Sequence, residues 1–206
     1  MTYMRYTPAA NPRDFNFYRR TGTAAPERWY TIPTVGFVSL SGTMGRDILK
    51  VIPFIAPRNP TVLDRIAIKL DVGLGAEDFA RLGVYADDGN LYPGSLLLDA
   101  GTVSLDDLGV KAISIDLTVT GLVWLAYVAN ASAEIGVIPR DEIATHVLGW
   151  PSTLLSSGLD NLIARSGYGI AFTFAPLPAP FPSGAYLLTG SGTTDNIPPI
   201  FVRMRA

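Results

Sequence analysis

The sequence contains no cysteine and a single histidine, His146, in 206 residues. The first absence removes disulfide scaffolds, thiol nucleophiles and thiolate zinc sites, and the second removes a multi-histidine metal cage. Charge is also scarce. Charged residues make up 17% of the chain, the net charge is −2 and the isoelectric point is near 5.3. A general nucleic-acid binder carries a basic face, so no nucleic-acid partner is expected. No apolar run reaches the roughly 18 residues that a membrane-spanning helix needs. The start, Met1-Thr2-Tyr3-Met4-Arg5-Tyr6, lacks the apolar stretch of a signal peptide, and no membrane insertion is expected. Gly73-Leu74-Gly75 and Gly190-Ser191-Gly192 lack the Lys and Ser/Thr spacing of a phosphate loop and read as hairpin tips. Neither a cofactor nor a metal is expected.

Apolar residues, glycine and proline are plentiful. Hydrophobic residues are 48% of the chain, mean hydropathy is +0.27, and there are 20 glycines and 16 prolines. A chain of this length buries about 70% of its unfolded surface and can build a core without metals or crosslinks. Apolar content beyond that need suits an interface, so a homo-oligomer is expected, a trimer first and a pentamer second.

Residues 1–35 differ from the rest and are expected to form an N-terminal docking arm. Arg5, Arg13, Arg19, Arg20 and Arg28 stand there against only Asp14 and Glu27. Phe15, Phe17, Tyr18, Trp29 and Tyr30 are interleaved with prolines, with neither helical nor alternating period. Disordered tails are poor in aromatics, whereas arginine and aromatics favour interface hot spots.

From residue 36 to 206 the pattern predicts one β domain. Ile66, Ile68, Leu70 and Val72 alternate with Ala67, Lys69 and Asp71, and Ile113, Ile115, Leu117 and Val119 alternate with Ser114, Asp116 and Thr118. Period two is the mark of a strand with one buried face. Residues 122–128 are apolar on both faces, which predicts a central strand or a subunit contact. Shorter candidates are 48–55, 80–86, 95–104, 168–174 and 199–205. Short strands broken by Gly and Pro predict an all-β fold, an antiparallel jelly-roll-like β-sandwich. Residues 130–167 break the pattern and are expected to form a long loop with a short helix over 141–148.

No catalytic constellation emerges, and the chain is not expected to be an enzyme. His146 has no partnered nucleophile, and no Gly-x-Ser-x-Gly elbow occurs. The pairs Asp87-Asp88, Asp106-Asp107 and Asp141-Glu142 suit solvated turns better than one cleft. Asp87-Asp88-Gly89-Asn90 reads as turn chemistry. Loop rings and planar polar groups could instead hold a sugar, and the glycan-binding candidates are Asp88, Asn90, Tyr92, Trp150 and Asn161.

The run Tyr85-Ala86-Asp87-Asp88-Gly89-Asn90-Leu91-Tyr92-Pro93-Gly94, continued to Val103, carries a resemblance, together with Gly109-Val110-Lys111 and Gly121 to Ala126. Arg28-Trp29-Tyr30, Val51 to Pro57, Phe174 to Pro178, Phe181-Pro182 and Pro199 to Arg203 complete it. Over residues 28–206 the chain resembles a β-sandwich module of the tail-fibre, spike and head-fibre proteins of tailed bacteriophages and gene transfer agents. The resemblance implies a symmetric virion appendage, assembled in the host cytoplasm, that attaches to capsid or tail proteins and binds host-surface polysaccharide. It brings no catalytic residues. The chain shows no long fibre shaft, which favours a compact spike or fitting. The alternatives are a purely structural adaptor between capsid or tail and a separate receptor-binding fibre, and a free carbohydrate-binding module.

Overall fold

The structure is a computed structural model that describes residues 29–32, 40–57, 60–137, 166–188 and 192–205. Among the described residues, twelve strands and one helical turn follow in order: β1 (Trp29–Tyr30), β2 (Leu40–Met44), β3 (Ile48–Ile55), β4 (Thr61–Leu70), β5 (Phe79–Asp87), β6 (Pro93–Ser104), β7 (Gly109–Val119), β8 (Leu122–Ala129), β9 (Ala133–Val137), β10 (Tyr168–Ala171), β11 (Tyr186–Leu187), α1 (Gly192–Asp195) and β12 (Phe201–Met204). They form two antiparallel sheets packed face to face.

The pairing is nested. β5 pairs with β6, β4 with β7, β3 with β8 and β2 with β9, all antiparallel. β5 also pairs with β8, and β4 touches β9 at Leu70 and Ile135. Four hairpins enclosed one within another, folded across two sheets, are a jelly roll. The all-β sandwich read from the sequence is therefore the observed fold. To this frame the chain adds β10 and β11 beside β3, and β12 and β1 beside β4.

The alternating patterns become buried faces. Leu63, Ile66, Ile68 and Leu70 of β4 meet Ile52 and Phe54 of β3 and Leu82 and Val84 of β5 in the core between the sheets. β8 is central in its sheet and buries both faces. Val123, Leu125 and Tyr127 join the inter-sheet core, while Trp124, Ala126 and Val128 join a second cluster on the outer side. That outer side is covered by residues 172–188 of the same chain, so the doubly apolar run is accounted for without a subunit contact.

Two expected boundaries move. β9 lies inside the stretch expected to be a loop, because Ala133, Ile135 and Val137 alternate with exposed Glu134 and complete the β2 and β4 pairing. The sandwich also starts before residue 36. Trp29 and Tyr30 pair with Arg203 and Val202, Tyr30 packs on the core and Ile32 is inside it. The expected helix over 141–148 lies outside the described residues.

The sheet edges are irregular. Along β5 and β6 the register shifts three times, each time with the extra residue on β6. β7 carries one extra residue opposite Asp64. Lys111, with its side chain only 17% exposed, pairs with Asp106 at 3.0 Å near the start of β7.

Candidate functional site

The registers set the two ends of the sandwich. The connections after β2, β4, β6 and β8 gather at one end, called here the four-loop end, and those after β3, β5 and β7 at the other, the three-loop end. β12 runs from Phe201 opposite Ala67 to Met204 opposite Leu63, and β1 is antiparallel to it. The chain therefore enters β1 from the side of the three-loop end.

The candidates Asp88, Asn90 and Tyr92 meet in the β5–β6 connection at the three-loop end. A carboxylate before glycine suits this turn, since its oxygens can accept the next amides. The Asp87 Oδ2 accepts the Gly89 amide at 2.9 Å, and the Asp88 Oδ1 accepts the amides of Asn90 at 2.7 Å and Tyr92 at 3.3 Å. Gly89 has φ 95° and Leu91 φ 61°, left-handed values that close the turn. Asn90 is exposed at its tip. The other Asp87 oxygen accepts the Trp124 indole N–H at 3.0 Å, tying the turn to the central strand.

Tyr92 turns inward. Its ring stands edge-on to Tyr168 at 4.8 Å and to Phe181 at 5.8 Å. Its hydroxyl donates to the Pro182 carbonyl at 2.7 Å and accepts the Ala185 amide at 3.1 Å. Tyr168 donates to the Leu91 carbonyl at 3.0 Å; burial first, then Tyr92, Asp88 and Asp87, raises its hydroxyl pKa. Trp150 and Asn161 lie outside the described residues, as do Arg5, Arg13, Phe15, Phe17, Tyr18, Arg19 and Arg20 of the arm. Trp29 and Tyr30 are strand residues of the sandwich.

The proline-rich segment 172–188 is a strap over the outer sheet face. Asp47, at the β2–β3 turn, accepts the Phe174 amide at 2.9 Å; that bond first, then Arg46, holds its carboxyl below the ordinary range. Asp99 accepts the Leu177 amide at 3.0 Å, the Gly101 amide at 3.0 Å and both close contacts of the Arg81 guanidinium, 2.8 and 2.9 Å. Tyr85 donates to the Pro178 carbonyl at 2.9 Å, and burial raises its pKa. The strap thus accepts the hydroxyls of Tyr85 and Tyr92 at its carbonyls, and its amides at Phe174, Leu177 and Ala185 are taken by Asp47, Asp99 and Tyr92.

Among the described residues the inter-sheet core holds one cation, which the sequence pattern hides. Lys50, fully buried on β3, donates from Nζ to the Asn196 carbonyl at 2.9 Å and lies 3.5 Å from the Met44 sulfur. Burial lowers its pKa to about 7, opposed by the nearby Asp195 carboxylate. Opposite it on β8, Tyr127 is buried, and its hydroxyl has no hydrogen-bond partner among the described residues. Asn196 also donates from Nδ2 to the Thr43 carbonyl at 3.0 Å, and Ile197 and Ile200 enter the core. Residues 192–200 therefore form a plug fastened to β2 and β3. A lone lysine inside Ile48-Leu49-Lys50-Val51-Ile52 was the available sign of it.

Among the described residues no group of three or more His, Cys, Asp or Glu could hold a metal, and no helix is long and apolar enough to cross a membrane. Compared with protein-family models, curated proteins and solved structures, the chain matches none.

Proposed function

We propose that this chain is a non-enzymatic structural subunit of a virion appendage, docked to the particle through its N-terminal arm. One observation carries the reading. A jelly roll that closes from Trp29 onward is preceded by 28 residues holding five arginines and only two acids, entering at one end of the sandwich. Jelly rolls recur in viral capsid proteins and in lectins, and fold alone does not choose a function. Arginine with aromatics suits burial against a protein partner. Deleting residues 1–28 should leave the sandwich folded and remove the protein from purified particles. Truncated protein on particles at normal occupancy would refute the docking role.

Host-surface glycan binding is proposed for Asp88 and Asn90, with Trp150 and Asn161. The adaptor reading is favoured over it by the engagement of Tyr92, whose ring and hydroxyl are both used inside the chain. A glycan array with the purified protein separates the two. Binding lost in Asp88→Ala and Asn90→Ala supports the glycan site, and no binding to any sugar supports the adaptor.

A further inference from the structure

We propose that the four-loop end is a docking surface for the N-terminal segment, residues 1–28, of a second copy of this chain, so that copies join head to tail. The proposal rests on the docking role of the arm and names a surface that receives it.

The three most exposed large hydrophobic side chains in the described structure are Leu108 at 73%, Val110 at 63% and Val72 at 45%. All three lie at this end, in or beside the connections after β4 and β6. Those two connections touch: the Leu74 amide donates to the Leu105 carbonyl at 2.7 Å, and a Cβ on Gly73 would meet the Asp106 carbonyl oxygen at 2.5 Å. Exposed aliphatic groups rimmed by charge mark an interaction surface.

The rim says which partner fits. The connections at this end carry six carboxylates, Asp47, Asp71, Glu77, Asp78, Asp106 and Asp107. Arg46, Lys69 and Lys111 pair with Asp47, Asp71 and Asp106, leaving a net of three negative charges. An anionic surface would be repelled. Residues 1–28 carry a net of three positive charges and a set of aromatic rings, the complement of an acidic rim around aliphatic groups. The segment enters the sandwich from the opposite end. Fully extended, 28 residues span up to about 90 Å, well beyond the length of a ten-residue strand, about 33 Å. A contact between unlike ends is heterologous and closes into a ring or continues as a filament.

The test uses the full chain and two full-length variants in analytical ultracentrifugation at micromolar concentration. The tip variant is Leu108→Asp with Val110→Asp, both at exposed positions. The arm variant is Arg13→Glu with Arg19→Glu and Arg20→Glu. The unmodified chain should sediment above its monomer mass of 22.1 kDa, and salt should return it toward monomer. Each variant alone should be a monomer, and an equal mixture of the two should form dimers, because one intact arm then meets one intact tip. A monomeric unmodified chain, self-association of either variant alone, or a mixture that stays monomeric would overturn the proposal. Particle docking is read separately, by incorporation of the 1–28 deletion, and stands or falls without this result.

Discussion

Replacing Lys50 by methionine should remove a pH dependence of stability that one buried amine creates. The amine is fully buried, and desolvation lowers its pKa from 10.5 to about 7. In the unfolded chain the same amine stays protonated up to its ordinary value. Between about pH 7 and 10.5 the unfolded state therefore binds more protons than the native state, and stability rises with pH. The slope approaches a tenfold gain in the folding equilibrium per pH unit, about 1.4 kcal/mol. Below pH 7 both states are protonated, and the penalty is full and constant. Tyr85 and Tyr127 act in the opposite sense, since burial raises their pKa and their contribution is lost above pH 10. The window from pH 7 to 9 isolates the lysine. Lys50→Met keeps the chain length and leaves the Asn196 carbonyl without this donor, which costs about 1–3 kcal/mol at every pH. Against that it removes the desolvation penalty, which is largest at pH 7. Urea denaturation of both proteins across pH 7 to 9 should show a rising midpoint in the unmodified chain and a flat one in Lys50→Met. Parallel pH profiles for the two would refute the assignment of a buried, neutral amine.

Tyr92→Ala should lower the thermal midpoint by roughly 5–10 °C, since it removes a packed ring and two hydrogen bonds of the strap; an unchanged midpoint in calorimetry would place the ring in solvent. Asp99→Ala leaves Arg81 without its carboxylate and the Leu177 amide without its acceptor, and should cost about 3–5 kcal/mol in chemical denaturation. A loss below one kcal/mol would show that Asp99 does not hold the strap. Gly83→Ala puts a Cβ against the Leu177 side chain and the Leu98 carbonyl oxygen. It should lift the strap and open residues 172–188 to limited proteolysis, while a protection pattern like that of the unmodified chain would contradict the tight approach.

Most of the frame is legible in the sequence because it is local. Alternation marks β4 and β7, and the boundaries of β3 and β8 lie within a residue of the apolar runs. The parts that escape are those decided by distant partners. Residues 174–182 are rich in proline, and nothing nearby in the sequence shows that Asp47 and Asp99 hold Phe174 and Leu177. Tyr92 sits in a loop and reads as an exposed ring, yet Pro182 and Ala185, some 90 residues on, take its hydroxyl. β9 is hidden by its small residues, since Ala133 and Gly136 give a weak alternation that only pairing with β2 makes a strand. The apolar tip escapes as well: Val72 continues the alternation of β4 beyond the strand's end at Leu70, and Val110 stands on the exposed face of β7, so the period alone would bury a side chain that the structure leaves outside.

The irregular edges bear on how such a chain can be crowded. Copies held side by side in an assembly meet at concentrations where regular sheet edges pair and grow into cross-β aggregates. β6 and β7 are the longest strands and lie at the ends of their sheets among the described residues. Their bulges break the even spacing of backbone donors and acceptors that a neighbouring strand would have to match. Lys111 adds a charge near the start of β7 that an added strand would have to bury. Close neighbours are thus left to associate through side chains at loops and ends, and the backbone of each sandwich stays its own.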